Sequence, residues 1–505
     1  MAGFIRKHPV LFLVIVALIF RLLPVFFSHG FIHSDDHFDS IEVAYDWLRD
    51  GPAGENGHLR WKNWSSEEIG RFPLYVLSQY AVMKAYQACG VTSLNTMMYG
   101  IRLFHTLLSL IPIFAAFGIV RLVTGKSSWA VFAGVVMAVD FALPFLSVRN
   151  LIEIVGGNLW AGTIYCLYRY KYGESKSMWL YAAGVITGLA WMIRFQIAFA
   201  VLPIPFILWY EQKSIRPAIQ YSLAVLGMLV LSGIFDLFVL GSFASSTIRN
   251  LTMNTSLGAL YQTIPAMYPV ELIGFLVPPF SFIALYLMGR PSFIKKHLLL
   301  FISTTSFLAF HMSHSNQQER FVFPIIPVVL IMAVIALWEK FQRDGYILRQ
   351  RLLFRIIAGI SIVINIVLLI PLTFSSGHQG QVEPLVWFEH IQPRPSLFIV
   401  QPEITQWPPL DYAGIAPIDR GHIRAWNEME IHRSEPWKSR RWDVILIYPK
   451  QEEDLPRYVD SVQSLFGQIE LVREFKPSFY DNLLHSLNKK HNPSFACWAY
   501  RLVQK

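Results

Sequence analysis

The chain has 505 residues, 54% of them hydrophobic and 15% charged, against about 25% charged in an ordinary soluble domain. Apolar stretches near the ~20 residues that a bilayer crossing needs recur from Pro9 to Leu372, which excludes a soluble enzyme. The formal net charge of +9 fits cytoplasmic loops in such a chain and gives no reason to invoke nucleic acid, while Cys89, Cys166 and Cys497 supply neither a disulfide framework nor a metal-ligand spacing.

In chain order, the first apolar stretch, 9–28, follows Arg6 and Lys7 and has no small-residue cleavage site after it. It reads as an uncleaved span. Further spans are expected at 99–121, 128–146, 153–168, 179–194, 196–210, 217–240, 268–288, 297–311, 321–338 and 354–373. Phe72–Gly90 is apolar but interrupted by Gln79, Lys84 and Gln87. Lying flat, it leaves the basic loops at Arg169–Lys171, Lys213–Arg216, Arg290–Lys296 and Lys340–Arg355 on the side of Arg6 and Lys7; spanning, it sends them opposite. The positive-inside rule selects the flat, interfacial placement. The expected fold is a polytopic α-helical membrane protein of about eleven spans, with the N-terminus inside and the C-terminus outside. Its membrane domain covers 1–375, with interfacial helices within 29–97.

After Ser375 the pattern changes. Leu397–Val400, Val444–Tyr448, Ile469–Phe475 and Cys497–Val503 read as strands and Leu455–Phe466 as an amphipathic helix. Residues 376–505 are therefore expected to form a soluble, non-cytoplasmic α/β domain.

Chemistry is concentrated in the outside loops. The first opens with His33-Ser34-Asp35-Asp36-His37-Phe38-Asp39 directly after a span. The plain reading is an acidic turn whose Asp or Ser caps a helix over Phe38–Leu48. The chemical reading is a general base at the membrane surface; Asp and His also permit a metal, although the spacing matches no specific metal motif. On the same face stand Arg21, Arg102, Arg149 with Asn150 and Glu153, Arg194 with Gln196, and Gln318-Glu319-Arg320. Each is costly at membrane depth unless paired or facing water. Snorkelling explains a single arginine. Five beside a carboxylate cluster point to phosphate, which guanidinium binds in a planar, bidentate way.

At these residues the sequence resembles glycosyltransferase family 22, the C-type mannosyltransferases that use polyprenyl-phosphate-mannose to build dolichol-linked oligosaccharides and GPI anchors. The family's His-Pro-Asp-Glu-aromatic opening is matched by His33-Ser34-Asp35-Asp36-His37-Phe38, and its Thr-Arg-Thr-x-Ser-Asn-like stretch by Ser147-Val148-Arg149-Asn150-Leu151-Ile152-Glu153. Its Ile-Arg-Pro-Thr stretch is matched by Ile193-Arg194-Phe195-Gln196, and its Glu-x-Arg-Phe-x-Phe-Pro end by Glu319-Arg320-Phe321-Val322-Phe323-Pro324. Ser34 and Asp36 depart from the family's Pro and Glu; Asn316, Gln317 and Gln318 stand where it has His, Lys and Glu, with His311 and His314 nearby. The C-terminal domain is unlike that of the eukaryotic members, which points to a bacterial relative.

The resemblance implies an inverting glycosyltransferase of the C-type (GT-C) fold that moves a sugar, mannose by analogy, from a polyprenyl-phosphate donor to a glycan or glycolipid, with no metal or other cofactor. It implies a site facing the periplasm of a bacterial inner membrane, or the lumen of the endoplasmic reticulum. Asp35 and Asp36 are the expected catalytic residues, Asp35 as the base with Asp36 or His33 orienting it. His33, Arg21, Arg102, Arg149, Glu153, Arg194, Gln318, Glu319 and Arg320 are the expected substrate-binding residues. The alternatives are another sugar or acceptor, such as lipid A or protein, and a transporter. The transporter would need ionisable groups near mid-bilayer and paired repeats, neither of which is seen here.

Overall fold

The computed structural model describes residues 2–54, 57–61, 70–173, 176–257, 267–314, 317–350, 352–393, 395–401, 408–414, 420–423, 442–449, 451–489, 492 and 496–503. Among them, five helices are long and apolar enough to cross a bilayer: Pro9–Phe27, Leu94–Thr124, Ile215–Leu240, Glu319–Arg343 and Leu352–Thr373. Shorter apolar helices run Ser127–Val139, Ser177–Ile193 and Leu298–Ser313, and Ile152–Tyr172 carries Glu153 in its first turn and Arg169 and Lys171 in its last. The outer ring is apolar and bare, as at Phe238 and Val367, which suits hydrocarbon as the surrounding solvent.

The straight span expected at 268–288 is instead two helices, Met267–Phe275 and Phe280–Met288, bent by 113°. The cause is local. Pro278 and Pro279 remove two consecutive backbone donors, and Val277 takes a positive φ of 59°.

Ile152–Tyr172 packs against Ser177–Ile193 and Leu110–Thr124. Small residues let backbones approach in such bundles. At Gly157 an added Cβ would lie 2.7 Å from Pro324 Cα, so the absence of a side chain seats the 3₁₀ segment Glu319–Ile325 directly on this helix.

Between the first two spans, the helices Glu42–Asp50 and Leu74–Ala88 pack together. Gln79, one of the polar interruptions, is buried and donates to Asn150 Oδ1.

The C-terminal region forms a five-stranded sheet of order β2-β1-β3-β5-β4: β1 Leu397–Val400, β2 Arg420–Ile423, β3 Val444–Ile447, β4 Ile469–Phe475 and β5 Cys497–Leu502. β1 runs parallel to β2 and β3, and β5 antiparallel to β3 and β4. Alternation divides the strands. Leu397, Ile399, Val444, Leu446 and Cys497 join one apolar cluster with Phe31, Ile41 and Trp47 of the first outer loop. Phe398, Val400, Ile445 and Ile447 face the opposite way, onto Tyr458 and Val462 of the helix Leu455–Phe466. The sheet thus shares its core with the loop that carries Asp35.

Where that loop leaves the first span, the backbone meets the end of the last one. Gly30 (φ 74°) pairs with Gly377 as an isolated parallel bridge, and a Cβ at Gly30 would overlap the Gly377 carbonyl oxygen. Only glycine fits there.

Candidate active site

The residues after Gly30 do not form the capped helix expected from Phe38. Ser34–Asp36 makes one short turn with His33 as its N-cap, and His37–Ile41 makes a π-turn that runs into Glu42–Asp50. His33 Nδ1 accepts from the Asp35 amide at 3.4 Å; neither Asp35 nor Ser34 caps. The Asp36 carbonyl accepts from Ser40 Oγ and from Asn150 Nδ2. Asn150 in turn accepts from the Tyr75 hydroxyl at 2.8 Å, so the turn is tied to the membrane helices through one amide.

This turn presents a carboxylate to each of two depths. The Asp35 side chain is 41% exposed, whereas Asp36 and Glu153 are 1% exposed. Only Asp35 can meet a substrate without rearrangement. Arg320 joins all three: its Nη2 lies 2.9 Å from Asp35 Oδ2, its Nη1 3.5 Å from Asp36 Oδ1 and its Nε 3.6 Å from Glu153 Oε1. The Arg320 Nε also donates to Gln318 Oε1 at 2.9 Å. Arg194 Nη1 pairs with Glu153 Oε1 at 2.5 Å, with its guanidinium over the Phe321 ring. Asp35, Asp36, Glu153, Arg194, Gln318 and Arg320, which come from four parts of the chain, therefore converge. Glu319 lies at the rim, where Asn488 of the C-terminal region donates to it at 3.3 Å.

Two members carry no motif. Arg71 Nη2 is 3.7 Å from both Asp35 Oδ2 and Asp39 Oδ2. Asp39, which looked like an ordinary helix residue, is turned into the cluster by the π-turn. Four carboxyls thus meet three guanidiniums. Partial desolvation pushes Asp35 up, but His33 at 3.4 Å and the charges of Arg320 and Arg71 outweigh it and hold this carboxyl well below the usual range. Asp36 goes the other way. Full burial outweighs the pull of Arg320, Glu153 and Asp35 add like charge, and the group is held well above that range. One carboxyl is ionised and half-exposed, and its neighbour is buried and held toward its neutral form. Arg320 Nη1 and the Nε and Nη2 of Arg194 still lack a hydrogen-bond partner among the described residues.

Three expected phosphate ligands lie elsewhere. Arg21 donates to the Ala138 and Met137 carbonyls at 3.0 and 2.9 Å, at the C-terminus of the helix Ser127–Val139, where a cation complements the dipole. Arg149 donates to the carbonyls of His29 and Gly30 at 2.5 and 3.1 Å, to that of Ser375 at 3.0 Å, and to Ser28 Oγ. It latches the first span to the last. Arg102 is buried over the Tyr99 ring at 4.5 Å. His311 Nδ1 is tied to the Phe307 carbonyl at 2.9 Å, and Asn316 lies outside the described residues. His37 is packing: it stacks between Phe31 and Tyr412, and burial pushes it down to about 3.

The profile of the Alg9-like mannosyltransferase family matches residues 12–396, which include every member of this cluster. Comparison with curated proteins finds no match. Among solved structures, ArnT from Cupriavidus metallidurans bound to undecaprenyl phosphate aligns over 97% of both chains at 12% identity and a TM-score of 0.57. The Archaeoglobus fulgidus oligosaccharyltransferase in complex with zinc and sulfate aligns over 89% of this chain and 69% of its own, at 12% identity and 0.53. The archaeal oligosaccharyltransferase AglB from the same organism, in complex with an inhibitory peptide and a dolichol-phosphate, aligns over 92% and 72%, at 10% identity and 0.50. At these identities the likeness is one of fold. With the family profile covering most of the chain, the protein belongs to the Alg9-like mannosyltransferase family and is a membrane-embedded glycosyltransferase.

Proposed function

We propose that the protein transfers a sugar, mannose, from a polyprenyl-phosphate donor to a hydroxyl of a glycan or glycolipid on the non-cytoplasmic face of the membrane, the periplasm in a bacterium. The observation that carries this reading is the half-exposed, ionised Asp35 held against Arg320. An acceptor hydroxyl needs a base as it attacks. Asp35 takes its proton as the new bond forms at the anomeric carbon and the bond to phosphate breaks on the opposite face, inverting the centre. The departing phosphate needs positive charge rather than a proton, and the unspent donors of Arg194 and Arg320 supply it. Asp36 and Glu153 are too buried to reach substrate, and we assign them the positioning of these arginines. Two of the structural neighbours carry a polyprenyl or dolichol phosphate, which is the donor chemistry proposed here.

The test is transfer by the purified protein in vesicles, with radiolabelled mannosyl-phosphopolyprenol and a glycolipid extract as acceptor. Label moving to the extract is the expected result. Transfer only from a different polyprenyl-phosphate sugar would remove mannose from the reading, and inertness toward all of them would remove the reading itself.

About eleven crossings, with residues 1–375 forming the membrane domain and residues 376–505 a non-cytoplasmic domain, complete the proposal. Contacts at both ends of the bent pair support a crossing there. Tyr268 lies beside Gln318 and Arg194 at the cluster's end, while Phe293, just past Met288, packs on His297, whose ring meets Glu339 at 3.1 Å. Lys171 pairs with Glu211 and Lys296 with Glu339, both at 2.7 Å, which gathers the basic loops at that far end, as the positive-inside rule requires. A reporter active only in the cytoplasm, fused after Lys505, is expected to stay silent. A strongly active fusion would change the crossing count by one and place the sheet inside.

A further inference from the structure

Away from the Asp35 cluster, the outer end of the bundle holds a second group of buried positive charge. Arg102, in the helix Leu94–Leu108, is 2% exposed. Its Nε and Nη2 are buried and reach no acceptor among the described residues; its one described partner is the face of Tyr99. Close by, Arg149 is 1% exposed; its four hydrogen-bond acceptors are three carbonyls and a hydroxyl, and the charge of Asp481 offsets part of its burial. A buried cation without a counter-charge, with donors unmade, is among the least favourable arrangements a protein can hold. Arg194 and Arg320, by contrast, face carboxylates. His29 registers the imbalance. Burial, then the charges of Arg102 and Arg149, push it down to about 4 even though its ring bonds the Phe26 carbonyl.

We propose that Arg102 forms an anion site, separate from the catalytic cluster, that binds the phosphate of a membrane lipid. Phosphate matches a guanidinium with two free donors on one edge. The position selects a lipid. Leu103 and Leu107, on the same helix, are exposed, as are Phe26 and Phe27 at the end of the first span. Tyr99 stands at the opening with its ring against Phe26 and His29. Above, the turn Leu410–Ala413 of the C-terminal region packs on the helix Leu94–Leu108. Arg102 thus sits where a lipid-facing surface meets a water-exposed domain, the level at which headgroup phosphates lie and at which basic pockets between spans hold them. The inference does not rest on the transfer reaction, and its readout is binding, so its failure leaves the proposed function standing.

The experiment uses the full-length protein in a maltoside detergent. Phosphatidylglycerol, undecaprenyl phosphate and inorganic phosphate are titrated separately, with thermal midpoint and native mass spectrometry as readouts. The wild type is expected to retain one phosphatidylglycerol and to gain a saturable rise in midpoint. Arg102→Gln should weaken that binding by roughly tenfold or more, Arg102→Lys by less, and Arg49→Gln, at an exposed position already paired with Asp46, not at all. Binding of undecaprenyl phosphate with the same Arg102 dependence supports the proposal and shows that the site reads the phosphate rather than the tail. Inorganic phosphate giving the full effect at equal concentration would overturn the lipid assignment. Equal lipid binding by wild type, Arg102→Gln and Arg102→Lys would overturn the site. If Arg102→Gln does not fold, Arg102→Lys carries the test alone, since it keeps the charge and loses the planar fork.

Discussion

Asp35→Asn is expected to lower sugar transfer by ~10²–10⁴-fold, the usual worth of a general base, while the protein remains folded in the membrane. The amide matches the carboxylate in size but cannot take the acceptor proton. Helix capping does not confound the result, because His33 is the cap of this turn. Asp39→Asn is not a neutral control, since Asp39 shares Arg71 with Asp35; Asp46→Asn, an exposed partner of Arg49, is the better one. The pH profile separates base from scaffold. A carboxyl held below its ordinary range is active when ionised and fails only as pH falls through its lowered value, so the wild type should keep its activity through mildly acidic pH. Arg71→Gln removes a charge that holds Asp35 down and should move the acid limb to higher pH. Normal turnover by Asp35→Asn, with loss of activity on adding a chelator, would make the acidic turn a metal site instead.

The second large effect is expected at Arg320. Arg320→Ala should cost about 10²–10³-fold in kcat, the range seen when one donor to a developing negative charge is removed, and Arg49→Ala should cost nothing measurable. Arg320→Lys should recover only part, because an ammonium cannot reach Asp35, Asp36, Glu153 and a phosphate oxygen from one plane as the guanidinium does. Losing Arg320 also raises Asp35, so its acid limb should move upward with Arg71→Gln. An alanine variant whose deficit vanishes at high pH would reduce Arg320 to a tuner of Asp35, and full activity at all pH would take it out of the site.

The sequence carried much of this cluster because each member flanks the same end of an apolar span. Asp35, Glu153, Arg194 and Arg320 are each legible as a charge beside a membrane helix, and span parity brings them to one face. What parity cannot do is choose among arginines. Arg21 and Arg149 look like Arg194 in sequence, but their partners are backbone carbonyls, which every residue has. Arg71 carries no motif; it is brought under Asp35 by the packing of Leu74–Ala88 against Glu42–Asp50. Asp39 escaped because a π-turn inserts a residue into the helical register, and such insertions often mark functional sites. The break in the bent pair was signalled by Pro278-Pro279, which an apolar average over 268–288 hides. In the C-terminal region, β1, β3, β4 and β5 and the helix Leu455–Phe466 follow from alternation, whereas β2, Arg420–Ile423, has too few apolar residues to announce itself.

The junction between Gly30 and Gly377 also has a meaning in time. Ser28 and its acceptor at Ser375 are 347 residues apart. At ~5–20 residues made per second, the second follows the first by roughly twenty seconds to a minute. A nascent chain therefore carries Asp35 into the membrane surface long before Arg149 has its Ser375 acceptor, before His378 reaches the Ile32 carbonyl at 3.0 Å, and before the sheet arrives to complete the core under Phe31. A polypeptide that stops early has every charged residue of the cluster and none of these fastenings. The outer loop is thus made well before the segment around Ser375 that fastens it.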